Sequence, residues 1–172
     1  MTRPSRSGGR STSKKLTLLE IVNEAVGTCC RTTRCRDQRC ELRLPGGGDL
    51  NCLHGDSYTA THQHDKKLAD CIIFWDDQSL RTIAIAELKG GSPDVRHAVQ
   101  QIQAGADLVI SKIAGEELAR CTFVPILVHQ AISKIELDVL AKERVRFRGK
   151  SVPVSRAKCG AELTTILEKA KL

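Results

Sequence analysis

The stretch that most constrains this chain is residues 68–91, LADCIIFWDDQSLRTIAIAELKGG. Cys71-Ile72-Ile73-Phe74-Trp75 is an apolar run of strand length, and a second run dense in Ile and Ala spans residues 80–89. Between them, Asp76-Asp77-Gln78-Ser79 is rich in side chains that hydrogen-bond their own backbone, which predicts a short polar turn. Side chains in a strand alternate faces, so Ile83, Ile85, Glu87 and Lys89 share one face. That face starts apolar and ends in a carboxylate and an ammonium. Asp70 stands at the mouth of the neighbouring strand. Two buried strands that bring these charged groups to one sheet edge make a candidate divalent-metal site.

Asp70 followed by Glu87-Leu88-Lys89 resembles the PD-(D/E)xK nuclease superfamily, which includes restriction endonucleases, Holliday-junction resolvases and phage-type exonucleases. The superfamily pattern is an Asp beginning one strand and Glu-x-Lys ending the next; Ala69 stands where the pattern usually has proline. The resemblance implies an α/β fold with a restriction-endonuclease-like mixed sheet flanked by helices, the core covering roughly residues 16–130. It implies that Asp70 and Glu87 hold a metal together with the carbonyl of Leu88, and that Lys89 orients or deprotonates the attacking water. It further implies a glutamine on the following helix that reaches the scissile phosphate, for which Gln101, preceding Ile102, fits best. A first-helix glutamate often joins such sites. Glu20 and Glu24 are both candidates, with Glu20 preferred. Asp65 rivals Asp70 but lies five residues before the strand.

The 172 residues suffice for one domain with a real core, and the formal charge of +7 favours polyanionic partners. With one Trp, one Tyr and three Phe, a stacking platform for single strands is not expected. No run approaches the roughly 20 apolar residues that span a bilayer, so no membrane association is expected. The N-terminus lacks the apolar run of a signal peptide. Eight cysteines in that setting are expected as reduced thiols in a cytoplasmic protein. Residues 1–15 are Ser, Gly, Arg and Lys with hardly an apolar side chain, which predicts a basic flexible tail ahead of a single domain, residues 16–172.

In the first helix, expected over residues 16–26, Thr17 and Glu20 fit a capping box and Gly27 supplies the stop. Residues 28–67 show no clear periodicity. They hold Cys29, Cys30, Cys35, Cys40 and Cys52 with His54, His62 and His64. The spacings come near zinc-ligand pairs without matching a known module, so structural zinc is the minority expectation there. After Gly90-Gly91, Ser92 and Pro93 predict a helix start, with Val95, Ala98, Val99, Ile102 and Ala106 on its inner face. Residues 123–128 read as a buried strand. Pro125 inside it implies that the strand starts later or lies at an edge. An amphipathic helix is expected over residues 132–142, a hairpin turning near Gly149 and a closing helix over residues 160–171. Arg144, Arg146 and Arg148 alternate with Val145 and Phe147, which lines three arginines along one strand face as a candidate nucleic-acid contact.

The expected function is a metal-dependent endonuclease hydrolysing phosphodiester bonds of double-stranded DNA, with restriction, junction-resolving and repair or defence roles all open and RNA not set aside as substrate. Magnesium suits a site of few carboxylates and several waters, with manganese as its substitute. A homodimer is implied by the resemblance. The alternative is a non-cleaving nucleic-acid-binding protein of the same fold.

Overall fold

The computed structural model describes residues 16–77 and 79–170. The expected tail over residues 1–15, Gln78 of the expected turn and Lys171 of the closing helix lie outside them. In chain order the elements are α1 (Leu18–Val26), β1 (Arg31–Thr32), β2 (Cys35–Asp37), β3 (Cys40–Leu42), β4 (Asp49–His54), α2 (Gly55–His62), β5 (Cys71–Asp76) and β6 (Arg81–Lys89). There follow α3 (Val95–Lys112), α4 (Gly115–Leu118), β7 (Cys121–His129), α5 (Lys134–Leu140), β8 (Arg144–Phe147), β9 (Lys150–Pro153), β10 (Ser155–Lys158) and α6 (Leu163–Ala170). Among the described residues no helix is long and apolar enough to cross a membrane.

A mixed sheet of six strands runs in the order β1-β4-β5-β6-β7-β10. Neighbours are antiparallel from β1 to β6, and parallel across β6–β7 and β7–β10. The period of two decides what each face meets. Ile72, Phe74, Ile83, Ile85 and Leu127 point into a core closed by α1 and α3, with Leu118, Leu140, Val145 and Phe147 at its margin. Cys71, Ile73, Ala84, Ala86, Leu88, Ile126 and Val128 point to the other face, covered by the β2–β3 hairpin and α6. Burial on both faces explains why β5 and β6 read as apolar runs rather than as alternating ones.

The local signals are realised at atomic level. Thr17 and Glu20 form the reciprocal capping box of α1, and Gly27 ends the helix at φ 75°. The α3 start is displaced from the expected one: Asp94, not Ser92, is the cap, because its side chain accepts the His97 amide at 3.0 Å. The inner face expected for α3 is buried throughout. The proline expectation holds only locally: the strand does not start later, but it is an edge at the proline itself. Pro125 lies inside β7, a central strand, in register with Ile85. β10 pairs with β7 only from Ile126 onward, so β7 still has an open flank at Pro125, where a strand proline is accommodated. The hairpin of β8 and β9 turns through Arg148 and Gly149, both at positive φ, as a two-residue turn of primed type requires.

The expectation of eight reduced thiols fails. The β2–β3 hairpin lies against the sheet, so that Cys35 meets Cys71 and Cys40 meets Cys159, and both pairs are disulfides. Cys29, Cys30, Cys52 and Cys121 remain as thiols.

Two glycines allow close approach. Gly55, the first residue of α2, donates its amide to the Asp70 carbonyl at 2.9 Å, and a Cβ at Gly55 would overlap the Ala69 carbonyl oxygen. At Gly105 a Cβ would meet the buried Ile85 Cγ2 at 3.1 Å, a side-chain contact that a shift of a few tenths of an ångström relieves. Gly55→Ala is therefore expected to cost at least about 2 kcal/mol in a urea denaturation, and Gly105→Ala less than about 1 kcal/mol. Equal effects would show that the backbone beside Asp70 yields freely.

Candidate active site

β5 runs antiparallel to β6 with Cys71 opposite Ala86, which brings Asp70 beside Glu87 at one end of the sheet. The Asp70 amide donates to Glu87 Oε2 at 3.1 Å, and the Leu88 amide donates to Asp70 Oδ2 at 2.7 Å. Lys89 Nζ lies 2.6 Å from Glu87 Oε1. The residues of the Asp…Glu-x-Lys pattern thus form one connected group. In an extended strand the N–H and C=O of a residue point to the same side, so the Leu88 carbonyl faces the side where its amide meets Asp70. Glu87 is fully buried, Asp70 nearly so, and Lys89 keeps a quarter of its side chain in solvent.

Burial, and secondly the Asp70 charge, push the Glu87 carboxyl up to about 7. Asp70 is raised too, chiefly by burial, against the pull of the Leu88 amide; Asp37 adds to the rise, Lys89 opposes it, and Asp56 contributes further. Burial works against the Lys89 charge, but the hydrogen bond and charge of Glu87, with Asp70 and Asp37 behind it, hold the ammonium above its ordinary range. Lys89 therefore keeps its proton at neutral pH.

The raised Glu87 has a defined consequence for stability. The folded protein binds this proton more tightly than an unfolded chain, whose carboxyl sits near 4.5. The stabilisation is present below pH 4.5 and is lost as pH rises through about 7, a change of about 3 kcal/mol at most. Asp70 acts in the same direction. His129, lowered by burial and then by Lys158 and Arg156, acts oppositely, its contribution being lost as pH falls. Comparison with Glu87→Gln cancels the His129 term. The wild type is expected to lose stability relative to that variant between pH 4.5 and 7, read by thermal melts. A constant difference would contradict the buried pair.

Sequence reading missed the flank of this site. Strand register places Leu127 and Arg156 in line with Glu87, and His129 and Lys158 in line with Lys89, all on the face that carries Glu87. His129 is buried, whereas Arg156 and Lys158 are exposed. His129 was visible as the end of an apolar run. β10, only four residues long, carries no pattern that marks it as a strand. Asp37 of β2 and Asp56 of α2, whose charges act on Asp70, carry no signal in a stretch without clear periodicity. The tip of the β2–β3 hairpin lies near Gly90, where a Cβ would stand 3.7 Å from the Arg39 nitrogen.

The remaining predicted residues fall elsewhere or take other partners. Gln101 is buried on α3: its Nε2 donates to the Leu68 carbonyl at 3.3 Å and its own backbone carbonyl accepts the Ala69 amide. It positions the segment that leads into Asp70. The Glu20 carboxylate accepts the Thr17 amide at 2.7 Å within the capping box, and Glu24 is exposed. The arginine row is partly realised: Arg144 and Arg146 are exposed on β8, while Arg148 lies in the turn at φ 50°. Arg148 acts electrostatically on Cys121, at the opposite end of β7 from His129. The ends of this nine-residue strand lie roughly 26 Å apart.

Two buried carboxyls side by side, one strand carbonyl facing them, a single ammonium and two further acids nearby give an all-oxygen donor set with surplus negative charge. Those residues fit a hard divalent cation. In comparisons with known proteins, no family model, no curated protein and no solved structure matches this chain.

Proposed function

We propose that this chain is a magnesium-dependent deoxyribonuclease of restriction-endonuclease-like fold that hydrolyses phosphodiester bonds of double-stranded DNA, with manganese able to replace magnesium. The observation that carries the reading is the connected group of Asp70, Glu87 and Lys89, with Glu87 bonded to both of the others. The order of α1, antiparallel β4-β5-β6, α3 and parallel β7 supports the fold assignment. The net charge of +7 supports a polyanionic substrate.

Asp70, Glu87 and the Leu88 carbonyl would hold the cation, which when bound neutralises phosphate charge and lowers the pKa of a bound water. The chain's own residues have separable tasks. Glu87 and Asp70 hold their geometry through backbone amides, so the donors are arranged before substrate arrives. Lys89, held protonated, orients the attacking water and offsets charge at the phosphate rather than taking a proton from the water. Arg156 and Lys158, exposed beside the site, reach the phosphates that flank the scissile one.

The test is incubation of the full chain with supercoiled plasmid and with a four-way junction, in magnesium and in manganese. Cleavage of either supports the reading. Intact substrates together with a clear mobility shift would replace it with a non-cleaving DNA-binding protein of the same fold. Replacing Arg156 and Lys158 together by Ala is expected to flatten the salt dependence of binding by about 0.9 log units for each phosphate no longer neutralised. An unchanged slope there, with a reduced slope for Arg144→Ala/Arg146→Ala, would route the duplex along β8 instead.

A further inference from the structure

A second cluster lies apart from the carboxylates. Cys29 and Cys30 sit between α1 and β1, and His62 sits in the last turn of α2. One ligand atom from each of the three lies within 4.8 Å of the others, and the two sulfurs are 2.9 Å apart. We propose that Cys29, Cys30 and His62 form a zinc site whose fourth position is left to solvent.

The ligands are gathered before any ion arrives, and the two sulfurs, 2.9 Å apart, separate to roughly 3.7 Å when they share one tetrahedral zinc. Cys30 is buried, and its carbonyl accepts the His54 amide at 2.9 Å, which fastens the cysteine pair to the end of β4. The His62 ring stacks on Tyr58 with centroids 4.0 Å apart. Its Nδ1 lies 3.2 Å from the Tyr58 carbonyl. A carbonyl only accepts, so Nδ1 carries the proton and Nε2 keeps the lone pair that a metal needs. A backbone carbonyl on the far ring nitrogen is the usual support of a ligating histidine. Two sulfurs and one imidazole are soft and borderline donors, which select zinc over magnesium. Two thiolates also balance the charge of the ion, and their protons leave on binding. The exposed Cys29 keeps the fourth position open to water. Zinc here ties the segment after α1 to the end of α2, the helix whose first amide holds the Asp70 carbonyl. The proposal stands independently of the nuclease reading.

Cobalt(II) titration of the metal-free full chain tests it, with cobalt as the coloured stand-in for zinc. The expected result is a thiolate-to-cobalt charge-transfer band that saturates at one equivalent and is bleached by zinc. Cys29→Ser, which alters an exposed side chain, and His62→Gln are each expected to weaken binding by more than about 10-fold. Cys52→Ser and Glu87→Gln are expected to leave it unchanged, and circular dichroism verifies that each variant folds. A band that survives both Cys29→Ser and His62→Gln would place the metal on other cysteines and overturn the proposal. So would the absence of any thiolate band, or a Cys29–Cys30 disulfide found by mass spectrometry in protein handled under argon.

Discussion

Glu87→Gln is expected to reduce DNA cleavage by at least about 1,000-fold while leaving the fold and DNA binding intact. The substitution keeps the volume of a fully buried side chain and leaves an amide oxygen able to accept the Asp70 N–H, now held at 3.1 Å. It removes the negative charge that a divalent cation needs and that Lys89 pairs with at 2.6 Å. Two losses therefore coincide: weaker metal binding, and an ammonium no longer anchored where the water must sit. Removal of a buried charge, and secondly of its repulsion by Asp70, should make the variant more stable than the wild type at pH 8 without metal. A stabilised variant that still binds DNA and does not cut separates a catalytic role from a folding one. Retained cleavage would sink the proposed site, because no other described carboxylate lies bonded to both Asp70 and Lys89.

The second large effect is expected from the disulfides. Cys35–Cys71 closes a loop of 36 residues and Cys40–Cys159 one of 119. Constraint of the unfolded chain is worth about 4 kcal/mol for the shorter loop and about 5 kcal/mol for the longer, and the two loops overlap, so their effects do not add fully. Reduction is expected to lower the urea midpoint clearly, and Cys35→Ser with Cys40→Ser to reproduce most of that loss. The bridges also hold the hairpin that carries Asp37, whose charge acts on both Asp70 and Lys89. Reduction should therefore alter the pH dependence of cleavage as well as stability. Unfolding without reductant should expose four titratable thiols. Eight thiols and an unchanged midpoint would show that the bridges do not form in solution.

What the sequence determined by itself was local. The Thr17–Glu20 capping box, the inner face of α3, the β5–β6 pair, and the shared face of Glu87 and Lys89 all follow from spacings of two to four residues. Backbone geometry makes such spacings informative before any tertiary contact exists. What only the tertiary structure decided was non-local. The alignment of His129, Lys158 and Arg156 beside Lys89 and Glu87 depends on the register of strands far apart in the chain. The approach of Asp37 to Asp70 depends on where a short hairpin docks. The pairing of Cys40 with Cys159 spans most of the chain. Strands of two to four residues carry too little periodicity to announce themselves, and burial of the sheet face they complete is what holds them in place.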